Sequence, residues 1–165
     1  MSIERWSPRV TVAAIVEAGG RYLLVEEQTP AGLRLNNPAG HLEQGESPLE
    51  GVVRETLEET ARILVPQWLV GIYLTRMPPM GRGGAGPESE VTFLRFAYAG
   101  TVGEPLPGRA LDTGIVRTVW LTIDEVRQSA DRHRSPLVLR CVEDHAAGVR
   151  HPLDVVAVHG SLQQP

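Results

Sequence analysis

Residues 47–63 constrain this chain more than any other stretch, because they read as a helix that must bury one face and yet carries three carboxylates beside it. Ser47-Pro48-Leu49-Glu50 has the form of a capping box: a hydroxyl at the N-cap, proline at the first helical position, and a glutamate three residues after the cap. Pro66 sets the outer limit, since the residue before a proline is kept out of the helical region. The helix is predicted to end near Ile63. At about 100° per residue, Leu49, Val53, Leu57, Thr60 and Leu64 fall on one stripe, widened by Val52 and Thr56. That stripe is the predicted core face. Glu55, Glu58 and Glu59 lie beside it at i, i+3 and i+4, so their carboxylates project into one small volume.

Like charges so placed oppose folding. Each neighbouring pair costs roughly 0.2–0.5 kcal/mol on an exposed helix, and more when partly buried. Two arrangements relieve the cost. One is a solvated acidic face with Arg54 and Arg62 as counter-ions, which is the reading the cluster alone favours. The other is a hard divalent cation; Mg²⁺ takes oxygen ligands in an octahedral shell and keeps some waters for chemistry.

The rest of the chain supplies strands. Val10–Val16 is β-branched and apolar, and Tyr22–Glu26 returns after the Ala18-Gly19-Gly20 turn as a hairpin partner. Thr29–Leu33 reads as a loop leading into Asn36-Asn37-Pro38-Ala39-Gly40. Trp68–Thr75, Val91–Tyr98 and Ile115–Leu121 read as strands, and Thr122–Ala130 and Ser135–Ala147 as helices. The alternation is too irregular for a doubly wound parallel sheet. The expected class is α/β in the α+β sense, a mixed β-sheet sandwiched between helices in one domain over residues 1–165. Proline and glycine crowd residues 77–89, the expected mobile loop. Its G-x-G-x-x-G match at 81–86 lacks the preceding strand and following helix that a dinucleotide site needs.

Composition excludes several classes. A net charge of −4 opposes a nucleic-acid polymer as partner. No stretch approaches the ~20 apolar residues of a membrane helix, so no membrane partner is expected. Cys141 is the only cysteine, which excludes an internal disulfide and suits a reducing compartment, with the cytoplasm as the expected location. His133, His145, His151 and His159 lack zinc-like spacing.

Gly40, Glu46, Arg54-Glu55 and Glu58-Glu59 stand at fixed intervals: glycine, five residues, Glu, seven residues, Arg-Glu, two residues, Glu-Glu. The stretch GHLEQGESPLEGVVRETLEETAR resembles the Nudix box at its first glycine and every charged position. It departs at Thr56 and Arg62, which hold apolar slots, and at Ala61, where the family has a helix-ending glycine. Alanine there is expected to let the helix run on for a residue or two.

The resemblance implies a Nudix fold and a set of roles. Glu55, Glu58 and Glu59, with the Gly40 carbonyl, would hold Mg²⁺, for which Mn²⁺ could substitute. Arg54 and Glu46 would form an ion pair that orients the loop on the helix. The general base would be Glu55 or a residue from a later loop, where Glu88 and Glu90 stand; each of these two reads equally as a solubilising charge. Asn37, His41 and Glu27 are candidate substrate contacts. Asn37 has an alternative as a turn former and His41 as a surface residue; Glu26 and Glu27 have one as a solvated strand end.

VTVAAIV, LLVEE, NPAGHLE, FLRF, Trp120, RSPLV and HPL, in order along nearly the whole chain, are similar to a bacterial branch of Nudix phosphatases. That branch implies release of orthophosphate from nucleoside di- and triphosphates or from the thiamine pyrimidine precursor diphosphate. The alternatives are a Nudix pyrophosphohydrolase of another nucleoside diphosphate derivative and a non-catalytic nucleotide-binding module. The expected partner is a small phosphorylated substrate, and a homodimer is compatible with everything in the sequence.

Overall fold

The computed structural model describes residues 6–77 and 90–163. Residues 78–89 of the loop expected at 77–89, Glu88 among them, lie outside the described residues.

Arg9–Ala18 (β1) and Arg21–Thr29 (β2) form the expected hairpin, turning through Gly19 and Gly20 at φ 58° and 76°. Only Glu17↔Tyr22 and Ala18↔Arg21 pair across it. Beyond the turn the two strands part. β1 runs antiparallel to the short strand Ala39–His41 (β4) and parallel to Val91–Val102 (β6), from Arg9↔Phe93 to Val16↔Gly100. β2 instead pairs with Gly32–Asn36 (β3) and Ile115–Thr122 (β7). Leu64–Met77 (β5) closes the far side of β6 as an edge strand. Pro66 sits in this edge strand beside a register shift, a place where a sheet tolerates a residue without an N–H.

Among the described residues three α-helices flank the sheet: Pro48–Thr60 (α1), Ile123–Gln128 (α2) and Leu137–Ala146 (α3). Val12, Ala14, Val16 and Tyr98 face α1 through Val52, and Ile15, Ala97 and Ala99 face Val138, Cys141 and Val142 of α3. The mixed sheet is thus sandwiched between helices, as the pattern of elements predicts. Among the described residues no helix is long and apolar enough to cross a membrane.

The structure corrects three local expectations. The loop expected at Thr29–Leu33 is a tight turn into β3, clamped by the Thr29 hydroxyl, which accepts from the Ala31 N–H at 3.1 Å and donates to the Gly32 carbonyl at 2.7 Å. α1 does not run on past Ala61. Ala61 itself adopts the left-handed conformation at φ 56°, ψ 20°, and its N–H closes on the Leu57 carbonyl at 3.0 Å. The Thr60 hydroxyl accepts from the Arg62 N–H, so the side chain before the cap also ties the turn. Finally, the buried face of α1 is centred on Val52, Glu55, Thr56 and Glu59, while Leu49, Val53 and Leu57 are only half-buried. The helix is turned so that two of its carboxylates enter the protein.

Candidate active site

The capping box forms as expected. Ser47 accepts from the Glu50 N–H, and Glu50 accepts from the Ser47 N–H at 2.7 Å. This fixes the start of α1 and the phase of its carboxylates. β4 is held on β1 by Thr11↔His41, Val12↔Gly40 and Ala13↔Ala39. α1 packs over β4, and the two meet at Gly40. A Cβ on Gly40 would run into the Glu55 carboxylate, so glycine is what lets that carboxylate lie against β4.

Arg54 is the hub of the cluster. Its Nε and Nη2 donate to the two oxygens of Glu46 at 3.0 and 2.7 Å, and its Nη1 to Glu55 Oε1 at 2.8 Å and Glu58 Oε2 at 3.1 Å. Nη2 also donates to the His41 carbonyl at 3.0 Å, tying the hub to β4. Glu59 stands apart from Arg54 and accepts from the Ala39 N–H at 2.8 Å. Burial pushes its carboxyl up to about 8, reinforced by the charges of Glu55, Glu27 and Asp112. Burial likewise raises Glu55, against the pull of Arg54.

Glu46, Glu55 and Glu58 therefore share a single guanidinium, which Glu59 does not touch. Among the described residues no preformed cage of acidic or histidine side chains converges, because the oxygens of Glu55 and Glu58 are turned onto Arg54. The donor set nevertheless suits a hard divalent cation. It is all oxygen, it is in charge deficit, and the glycine of β4 leaves the approach to Glu55 clear.

On the other face of the sheet a cleft of about 240 Å³ opens where β1 and β2 part. Arg9, Arg95 and Arg134 line it, with Glu27 as the one acidic wall residue among the described residues and Ala39, Gly40 and His41 at the β4 end. β4 thus carries the carboxylate cluster on one side and the cleft on the other.

The candidate substrate contacts fall in different places. His41 lines the cleft, and burial together with the charges of Arg9 and Arg134 lowers its pKa, favouring the neutral ring. Glu27 also lines it, half-buried, with Oε2 3.3 Å from Arg134 Nη1. Asn37 is buried and is not on the cleft wall; its neighbour Asn36 is. Glu26 is no solvated strand end. It is buried between Arg117, at 2.8 Å, and Arg132, which hold its carboxyl below the usual range. Glu90 is exposed and paired with Arg76 at 3.2 Å.

Two groups escaped the sequence reading. Arg95 is buried at the cleft floor, and burial lowers its pKa. The available signal was strand parity: Phe93, Arg95, Ala97 and Ala99 share one face, so a charge stands where the strand turns inward. Asp112 reaches the cluster because its N–H donates to the Glu58 carbonyl at 2.9 Å, a long-range contact with no local sequence signal.

Comparison with known proteins shows the family and the fold. A family model described as NUDIX domain matches residues 7–141. The chain is 32% identical over 151 residues to proteins called phosphatase NudJ in Escherichia coli K12 and Shigella flexneri, covering 92% of each chain. It is 46% identical to a solved NUDIX hydrolase from Nitrosomonas europaea, with a TM-score of 0.82 over 93% of this chain and 98% of that one. A MutT protein from Methanosarcina mazei Go1, at 21% identity and a TM-score of 0.60 over 89% and 99% of the two chains, shares the fold.

Proposed function

Because this chain belongs to the Nudix family and is by that membership a hydrolase, we propose that it is a Mg²⁺-dependent phosphohydrolase releasing orthophosphate from small soluble diphosphates. The substrates would be nucleoside di- and triphosphates or the thiamine pyrimidine precursor diphosphate. The observation that carries this reading is the position of β4, with an oxygen-rich, charge-deficient cluster on one side and an arginine-lined cleft on the other. The phosphatase name of the similar bacterial proteins supports the product.

Glu55, Glu58, Glu59 and the Gly40 carbonyl would hold the cation, with Mn²⁺ as an accepted substitute. Bound there, it would offset charge on phosphate oxygens and lower the pKa of an attacking water. Arg54 orients the carboxylates by gripping Glu46 in a bidentate pair and the His41 carbonyl. Arg9 and Arg134, at the cleft wall, attract the anionic chain, while neutral His41 can donate a hydrogen bond without adding charge. Glu55 is the base we favour: Oε1 is engaged by Arg54, so the second oxygen accepts the water proton, and burial has already raised its affinity for one. A buried Cys141, its thiol pushed up to about 11, fits an enzyme of the reducing cytoplasm.

The test is product analysis with Mg²⁺, with and without chelator, on nucleoside di- and triphosphates, ADP-ribose and the thiamine pyrimidine diphosphate. Chelator-sensitive orthophosphate is the expected product. Pyrophosphate or paired monophosphates would replace the phosphatase reading with a pyrophosphohydrolase. No turnover would leave a binding module.

A further inference from the structure

Arg62 fills an apolar slot of the Nudix box, directly after the left-handed Ala61 that ends α1. Its side chain is nonetheless only 14% exposed. Nη1 donates to the Gly103 carbonyl at 2.6 Å, and the guanidinium lies 5.8 Å from the centre of the Trp120 ring. Nε is buried without a hydrogen-bond partner. Glu104, 3.9 Å away, is almost fully exposed, and such a pair adds little. A buried donor left unmade costs about 1–3 kcal/mol. Arg62 therefore breaks a local rule, and the grip on Gly103 is the gain set against that cost.

Gly103 begins the irregular segment 103–114 between β6 and β7. That segment crosses the end of α1. The Leu106 N–H donates to the Ala61 carbonyl at 2.8 Å, the Asp112 N–H to the Glu58 carbonyl at 2.9 Å and Arg109 Nε to the Leu57 carbonyl at 3.3 Å. The last carbonyls of a helix are short of donors, and α1 carries no basic residue in its last turn. The segment supplies those donors, and the turn it finishes is the one that bears Glu58 and Glu59.

We propose that Arg62 is a positioning residue for the carboxylate cluster: by pinning Gly103 it holds segment 103–114 across the end of α1, and this clasp fixes Glu58 and Glu59.

The importance of those two carboxylates to turnover rests on the hydrolase reading above; the clasp does not. A planar guanidinium suits both tasks, since it stacks on Trp120 while one nitrogen meets the carbonyl. Lysine keeps a donor for Gly103 without the planar stack. Leucine, which matches the apolar slot, keeps no donor at all.

The experiment compares wild type with Arg62→Leu and Arg62→Lys. Amide hydrogen exchange is followed in chelator at Ala61, Leu106 and Asp112, with the β1 amides of Val12–Val16 reporting global opening. Mn²⁺ affinity is measured by calorimetry, and kcat/KM for a nucleoside diphosphate with Mg²⁺. Arg62→Leu should speed exchange at the three amides about tenfold or more and leave β1 as in wild type. Mn²⁺ affinity and kcat/KM should each fall about tenfold, the scale for groups that orient metal ligands, and Arg62→Lys should recover most of the loss. In a Glu59→Gln background the effect of Arg62→Leu on Mn²⁺ affinity should shrink, because part of what the clasp positions is already gone.

Exchange at the three amides within about twofold of wild type, or a rise shared equally with β1, would overturn the proposal; the second pattern is what lost packing alone produces. A local rise with Mn²⁺ affinity and turnover unchanged, or an undiminished effect beside Glu59→Gln, would overturn it too. If wild type neither binds Mn²⁺ nor turns over a diphosphate, the hydrolase reading falls and the exchange pattern alone decides the clasp. If Arg62→Leu does not fold, Arg62→Met is read in the same way.

Discussion

Gly40 and Glu55 meet so closely that the α carbon of the first leaves no room for a methyl group beside the carboxylate of the second. The obstructed atoms are the end of a flexible side chain, so Gly40→Ala should fold, with Glu55 swung off Arg54. We expect stability to fall by about 1–2 kcal/mol and kcat/KM by about 100-fold. Urea melts and steady-state kinetics check this, and wild-type activity in the variant would remove Glu55 from the site.

Arg54→Lys retains the charge and loses the fork. Lysine cannot meet both Glu46 oxygens, Glu55, Glu58 and the His41 carbonyl from one nitrogen. Activity should drop about 10- to 100-fold, as for other residues that orient ligands. A double-mutant cycle with Glu46→Gln should show a coupling of about 1–3 kcal/mol. Additive effects would mean that the pair does not act as a unit.

Glu59 makes the cation-free protein sensitive to alkali. Its folded carboxyl titrates at about 8 against an ordinary 4.5, so between those values the folded state binds the extra proton. Stability is then full at low pH and declines as pH rises through that window. With chelator present, melting temperature should fall from pH 6 to pH 9. Mg²⁺ should restore more of it at pH 9, where the carboxylate it binds is already ionised. Glu59→Gln should flatten the profile, melt higher than wild type at pH 9 without metal, and show almost no turnover. A flat wild-type profile would show that Glu59 is not desolvated in solution.

Ala61 occupies a left-handed position that costs a non-glycine residue about 1–2 kcal/mol, yet its methyl group is buried and worth about 0.8 kcal/mol there. Glycine would relieve the strain, lose the methyl contact and gain unfolded-state freedom. Ala61→Gly should therefore lie within about 1 kcal/mol of wild type, whereas Ala61→Val, β-branched at positive φ, should lose about 2 kcal/mol or more. Chemical denaturation of the two variants decides this; a large gain from glycine would mean that the methyl contributes nothing.

What could be read from the chain in advance followed the range of the interactions involved. Ser47, Pro48 and Glu50 announce the start of α1 because capping is settled within four residues. Glu55, Glu58 and Glu59 cluster through helical geometry alone. The phase of α1 differs from the apolar pattern, which points to Leu49, Val53 and Leu57, because packing against β4 turns Glu55 and Glu59 inward. The cleft was largely hidden: Arg95, Asn36 and Ser135 meet only through strand register and the approach to α3. A solvated strand end is the local reading of Glu26 because Arg117 and Arg132, which neutralise it, lie 91 and 106 residues away.

The early parting of β1 from β2 also separates two kinds of evolutionary freedom. Thr11 and Arg95 belong to the same ladder as β4, and so share a framework with the carboxylate cluster. Glu27 and Asn36 belong to the other ladder, which pairs with β1 only at the hairpin turn and runs on through residues 37–38 into β4. Substitutions on that second wall can reshape what the cleft admits while the strand that bears the chemistry stays where it is. Selectivity in such a scaffold can drift faster than reactivity wherever the substituted residue, unlike Glu27, does not act on the Glu59 carboxyl through its charge.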